Sequence, residues 1–175
     1  MVKIVLLTFV LSTFASAGPG QDFLTTAANH FRTYSDTTLS SIEPNTVSLE
    51  EIVARLGTPT TVATRSDKWF TNYAYEWQTT RCRLRLLAKG NTHGALRLDS
   101  IDVWGDSPDG VIGTTGHGLK LGDTMNHARL LYRTGLYRYG LPMKSSVSLE
   151  IDFDERARVN HMQLKNPCWG NLCSW

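Results

Sequence analysis

The sequence predicts an α+β protein made of two helix-plus-antiparallel-meander modules in tandem. Three observations predict it. Two short amphipathic segments each begin at a hydroxyl residue and run toward a glycine, Ser48 to Gly57 and Thr124 to Gly135. Each is followed by stretches in which apolar and polar residues alternate, the period of a strand with one buried face. Between the two lies a glycine-rich run, which reads as a connector.

The chain divides accordingly. Residues 1–17 form a signal peptide and 18–45 an N-terminal segment with a short helix. Residues 46–104 are the first module, 105–117 the connector, 118–166 the second module and 167–175 a cysteine-containing tail. At the N-terminus, Lys3 precedes an apolar run, Ile4 to Phe14, broken only by Thr8, Ser12 and Thr13, and Ala15-Ser16-Ala17 follows as a small-residue cleavage site. The run is too short for a bilayer, which needs about 20 apolar residues, so it reads as a secretory signal cleaved near Ala17. Gly18 rather than cysteine comes next, which argues against a bacterial lipid anchor there. The expected address is secreted or periplasmic, with no transmembrane segment. A formal charge of +2, or 17 basic against 16 acidic residues once Lys3 is removed, gives no reason to expect nucleic acid.

Export permits disulfides. Of the three cysteines, Cys168 and Cys173 are spaced to close a small loop and staple the tail, while Cys82 falls on the inward parity of a strand. A bridge from Cys82 to either tail cysteine is the alternative. No Cys-x-x-Cys pair suggests zinc, and neither a metal nor a cofactor is expected.

Phe23, Leu24, Ala27, Ala28 and Phe31 recur at helical spacing, so a helix is expected over 22–33, with a Ser/Thr-rich loop up to Pro44. In the first module, Ser48 and Glu51 match a capping box. Leu49, Ile52, Val53 and Leu56 form one apolar stripe, and Gly57 with Pro59 ends the helix. Tyr73, Tyr75 and Trp77 alternate with polar neighbours, and read as core rather than as a ligand platform. Cys82, Leu84 and Leu86 then alternate with Arg81, Arg83 and Arg85. Leu96 and Leu98 are followed by Ile101 and Val103 in shifted parity, which places a bulge near Ser100. The glycines of the connector lack any phosphate-binding spacing. The second module repeats the plan with Thr124 as cap and Met125, Ala128, Leu131 and Tyr132 as stripe, then Val147 to Phe153, a turn, and a return strand with a bulge near Asn160-His161. Glu150 and Asp152 are expected to face outward beside Arg156 and Arg158 and to pair with them in a local salt-bridge ladder.

The helix exit Leu56-Gly57-Thr58-Pro59, followed by the aromatic strand Tyr73-Ala74-Tyr75-Glu76-Trp77, resembles the SmpA/OmlA domain of a small lipoprotein in the bacterial outer-membrane β-barrel assembly machinery. Two such units in one exported chain are also similar to the tandem architecture of the β-lactamase inhibitory proteins. Gly118-Leu119-Lys120-Leu121-Gly122-Asp123-Thr124 is similar in style to the approach to the helix in such modules. The resemblance spans roughly residues 46–165 and implies an α+β scaffold used for protein contact. Gly18 stands where the lipoproteins carry their acylated cysteine, and no interface residue of the inhibitors is carried over to this chain.

Two site readings follow. Arg81, Arg83 and Arg85 would stand on one strand face about 7 Å apart. They either pair with Glu76, Asp99 or Asp102, or, with Trp104 as anchor, meet an acidic partner surface. Alternatively His117, Asp123 and His127 converge as the centre of a small metal- or histidine-dependent hydrolase, although no catalytic motif of known mechanics occurs. A small-molecule carrier would need a deep apolar pocket. The expectation is a non-catalytic protein-binding module of inhibitor, immunity or envelope-assembly type, with its partner unspecified.

Overall fold

The computed structural model describes residues 29–44, 47–66, 68, 70–90, 96–106, 108, 112–132 and 147–166. Its strands follow from side-chain alternation: β1 (His30–Thr33), β2 (Thr61–Ser66), β3 (Thr71–Gln78), β4 (Cys82–Gly90), β5 (Leu96–Gly105), β6 (Ser148–Phe153) and β7 (Val159–Lys165). All pair antiparallel in one seven-stranded sheet of order β1-β6-β7-β5-β4-β3-β2.

This overturns the tandem plan. The described residues are predominantly β, with two short helices, α1 (Leu49–Leu56) and α2 (Met125–Leu131). The strands expected to form a second meander are instead a hairpin, β6–β7, that inserts between β1 and β5. Periodicity fixes which face of a strand is apolar, but not which strand it joins. Ile101 and Val103 find Leu164 and Met162 in register, and that apolar pairing closes the two halves into a single core.

The core face carries Trp77, Leu84, Leu86, Ile101, Val103, Leu149, Ile151, Met162 and Leu164, joined by Ile52 of α1 and Ala128 of α2. Ser48 caps α1 by accepting from the Glu51 amide at 3.2 Å. The Glu51 carboxylate turns to Arg55, at 3.7 Å, so only one half of the capping box is made. Gly57 closes the helix at φ 80°, and its carbonyl accepts from the Trp77 indole at 2.8 Å, docking the helix end onto β3. Thr124 caps α2 in the same way, accepting from the His127 amide at 3.2 Å. Among the described residues, no helix is long and apolar enough to cross a membrane.

Both bulges lie where parity predicts them. Leu87 faces Ser100 and Ala88 faces Leu98, leaving Asp99 over. Asp152 faces His161 and Phe153 faces Val159, leaving Asn160 over. The helix expected over 22–33 is corrected at its end, since His30–Thr33 is strand and residues 21–28 lie outside the described residues. As part of that strand, Phe31 packs edge-on against Phe153 with ring centroids 5.6 Å apart. β2 has no counterpart in the expectations, because Thr61-Val62-Ala63-Thr64-Arg65-Ser66 is exposed throughout and carries no burial pattern. Cys82 is buried on the inward parity, whereas the expected Cys168–Cys173 bridge lies outside the described residues.

The Ser/Thr-rich loop is more than a connection. Leu39 and Ile42 are fully buried, and the loop is laced to residues 112–120. Ser40 donates its amide to the Thr114 carbonyl at 2.7 Å and accepts at its hydroxyl from the Gly113 amide at 3.0 Å. At the centre sits Asp36, 2% exposed. It accepts from the Tyr132 hydroxyl at 2.7 Å, from the amides of Thr38, Gly116 and His117 at 3.2, 3.1 and 3.0 Å, and stands 3.1 Å from His117 Nδ1. Burial alone would raise the Asp36 pKa, but these donors hold it below the usual carboxylate range. A side chain at Gly116 would place its Cβ 2.7 Å from the Asp36 carboxylate and 2.4 Å from the Thr38 hydroxyl, which is why glycine stands there.

Candidate functional site

Both helices pack on one face of the sheet; no described helix or strand covers the other. On that open face, register sets two polar rows across six strands. Gln78, Arg83, Trp104, His161, Asp152 and His30 stand opposite one another along β3, β4, β5, β7, β6 and β1. The next row runs Glu76, Arg85, Asp102, Gln163, Glu150 and Arg32 over the same strands. Adjacent members lie about 5 Å apart at the backbone, within reach of one another.

Trp104 is the centre of the first row. The guanidinium carbons of Arg83 and Arg85 lie 4.5 and 4.9 Å from its ring centroid, and the His161 ring stacks on it at 4.9 Å. Of the residues expected to bind a partner, Arg83, Arg85 and Trp104 are therefore brought together. Arg81 lies in the turn before β4, exposed, its amide donating to the Thr79 hydroxyl at 3.3 Å. Its carbonyl sits against Gly105, where an added Cβ would come within 2.2 Å. The expected charge pairs are partly made. Arg85 Nε is 4.0 Å from Asp102, whereas Asp99 pairs with Lys89 at 2.9 Å, and Arg83 meets no carboxylate among the described residues.

The acidic side of the rows corrects one expectation. Glu150 and Asp152 do not pair with Arg156 and Arg158; the Arg158 guanidinium donates instead to the Gly122 carbonyl at 2.9 Å. Glu150, nearly buried, takes the Lys165 ammonium at 2.7 Å and the Arg32 guanidinium, and these cations outweigh burial to keep it ionised below its ordinary range. Asp152 sits between the Nδ1 atoms of His161, at 2.6 Å, and His30. Burial opposes its charge, but the two rings hold its pKa well below the usual range. Asp102, 1% exposed, accepts from the Ser100 hydroxyl at 3.0 Å and from the Gln163 amide. Its carboxylate lies 3.7 Å from His161 Nε2, close enough to act on the ring by charge without a made hydrogen bond. Burial lowers the His161 pKa, yet Asp102 and Asp152 on either side raise it to about 9.

That shift has a sign. A histidine whose folded pKa exceeds its unfolded value of about 6.5 contributes stability present below that value and lost as pH rises through the folded pKa. The melting temperature is therefore expected to fall between about pH 6.5 and 9, and His161→Gln to flatten this alkaline slope in a thermal denaturation series. Asp36, Glu150 and Asp152, with depressed values, give the opposite limb, a loss as pH drops below about 4.

His117, Asp123 and His127 do not share partners. His117 Nδ1 is 3.1 Å from Asp36 and His127 Nδ1 is 3.1 Å from Asp123, whose carboxylate also accepts from the Lys120 amide at 2.8 Å. Asp123 and His127 are four residues apart and form a local helix-start pair. Among the described residues, no group of three or more His, Cys, Asp or Glu side chains is placed to hold a metal ion. Between α1 and the sheet, Val47, Ile52, Tyr75, Leu86 and Leu98 line a cavity of about 230 Å³. This is below the roughly 300–1,000 Å³ usual for ligand pockets.

Sequence reasoning found the β4 half of the open face, since arginine alternates there with buried leucine and cysteine. It missed His30, Arg32, His161 and Lys165 because each comes from a segment whose place in the sheet only register reveals. The signal available for His161 was its position at the bulge, which turns it outward. Compared with family models, curated proteins and solved structures, the chain matches none.

Proposed function

We propose that this chain is a secreted or periplasmic, non-catalytic protein-binding module of inhibitor, immunity or envelope-assembly type, and that it holds its partner on the open sheet face around Trp104. The observation that carries the proposal is the partly buried indole held by Arg83 and Arg85 from β4 and by His161 from β7. Tryptophan and arginine dominate interface energetics, and a ring already fixed in place loses little freedom on binding. Arg83, with no carboxylate partner among the described residues, leaves positive charge beside the indole, so the partner surface is acidic. The helix exit at Leu56–Pro59 and the aromatic strand at Tyr73–Trp77, the motifs that resemble SmpA/OmlA domains, support the same reading.

The test is capture by the immobilised full chain from the envelope and culture fractions of its source, followed across a salt series. A discrete protein with an acidic surface should be retained at low salt and released as ionic strength rises. Arg83→Glu combined with Arg85→Glu should reduce retention at least about tenfold, mainly through the association rate. Equal retention by this double variant would remove the proposal.

A further inference from the structure

We propose that β2 is the contact strand of a symmetric dimer, in which two copies join their sheets edge to edge. Among the described residues β2 pairs only with β3, so alternate amides and carbonyls along its outer side have no strand partner there. All six of its residues are exposed. Its ladder with β3 runs without a register shift, and it contains neither proline nor bulge. Natural sheets blunt exposed edges with such devices, so an edge lacking them is a template for a further strand.

Charge identifies the occupant as a second copy. Arg65 and Glu76 stand on the same face of the sheet, four positions apart in register, since Thr61 faces Glu76 and Arg65 faces Asn72. Neither meets an opposite charge among the described residues; the Glu76 carboxylate accepts from the Thr61 hydroxyl at 3.4 Å. Antiparallel pairing of β2 with its copy must keep the two faces of the sheet distinct, which leaves only two-fold axes that pass through a residue. An axis through Ala63 sets Arg65 of each copy beside Thr61 of the other, one strand from that copy's Glu76. The backbones are then about 10 Å apart, a gap that arginine and glutamate side chains span together. The pair forms twice by symmetry. The same axis brings two small alanine side chains together at the centre and sets Val62, 54% exposed, beside Thr64 of the other copy. An axis through Thr64 would move Arg65 beside Ala63, away from Glu76. Arg65 and Glu76 lie on the same face of the sheet as Trp104, but the dimer is read by sedimentation and not by capture, so it stands or falls separately from the partner-binding proposal.

Sedimentation velocity of the full chain over a concentration series tests this. The wild type should show a monomer–dimer equilibrium. Ala63→Lys, which opposes two like charges on the axis, should abolish the dimer. Arg65→Glu and Glu76→Arg should each weaken it about tenfold, and the double variant Arg65→Glu/Glu76→Arg should restore it, with circular dichroism melts unchanged at concentrations low enough to keep every chain monomeric. A monomer at every concentration, including the case in which β2 instead takes a strand from a different protein, overturns the proposal. So does a dimer indifferent to Ala63→Lys, or a double variant that fails to recover.

Discussion

Replacing Asp36 by alanine is expected to lower the unfolding free energy by about 3–5 kcal/mol, the usual range for removing one partner from a buried charged network. The carboxylate gathers the Tyr132 hydroxyl and the amides of Thr38, Gly116 and His117, drawing residues 112–117 and the end of α2 onto the loop between β1 and α1. Without it these donors remain in a space that water reaches poorly, and each unsatisfied group costs about 1–3 kcal/mol, reduced where the loop relaxes. Tyr132→Phe removes a single donor and should cost about 1 kcal/mol, while Asp36→Asn should fall between the two. Urea denaturation monitored by tryptophan fluorescence reads the series as shifts in midpoint. A loss below 1 kcal/mol for Asp36→Ala would mean that the loop is held by its apolar residues, Leu39 and Ile42, rather than by the carboxylate.

Ile101→Ala should be as costly, by about 2–5 kcal/mol, and its distribution matters more than its size. Ile101 is fully buried between Leu86 of β4 and Leu164 of β7, where the two halves of the sheet meet. In one continuous core the variant unfolds in a single transition, and slow-exchanging amides of β4 and β6 lose protection together. If β6–β7 belonged to a separate module, β4 would lose protection and β6 would keep it. Hydrogen exchange resolved by segment decides between these outcomes.

The parts of this fold that were legible in the sequence are those written locally. Ser48, Gly57 and the Leu49–Leu56 stripe define α1 because capping and helical period act within one turn. The inward parity of Cys82, Leu84 and Leu86 and both bulges are visible because alternation and its interruptions are properties of neighbours. The choice of strand partner is set by distant registers, so the order β1-β6-β7-β5 and the single sheet were not legible, and a recurring capped helix suggested a repeat. β2 escaped because an exposed strand bears no hydrophobic signature. Asp36 escaped because one aspartate in a Ser/Thr-rich loop looks like any turn residue until Tyr132 arrives from 96 positions away.

The candidate site divides in the same way. Arg83 and Arg85 announce themselves by alternation, and Trp104 by its place at the end of an apolar strand. The carboxylates and imidazoles that complete the rows come from β1, β6 and β7, and their convergence is a consequence of register. The arrangement also accounts for the charge state of the face. His161 lies between two carboxylates, which raise its pKa to about 9, and its charge offsets part of theirs while Arg83 carries the positive charge beside the indole.

The most direct measurement of the central claim sets the wild-type chain beside Trp104→Ala in the same capture experiment, with thermal melts of both recorded first. Truncating an interface tryptophan at a central position costs about 2 kcal/mol or more, so retention of the partner should fall at least about 30-fold while the melting temperature changes little. Equal retention of the same protein by both chains would contradict the assignment of the open sheet face as the binding surface.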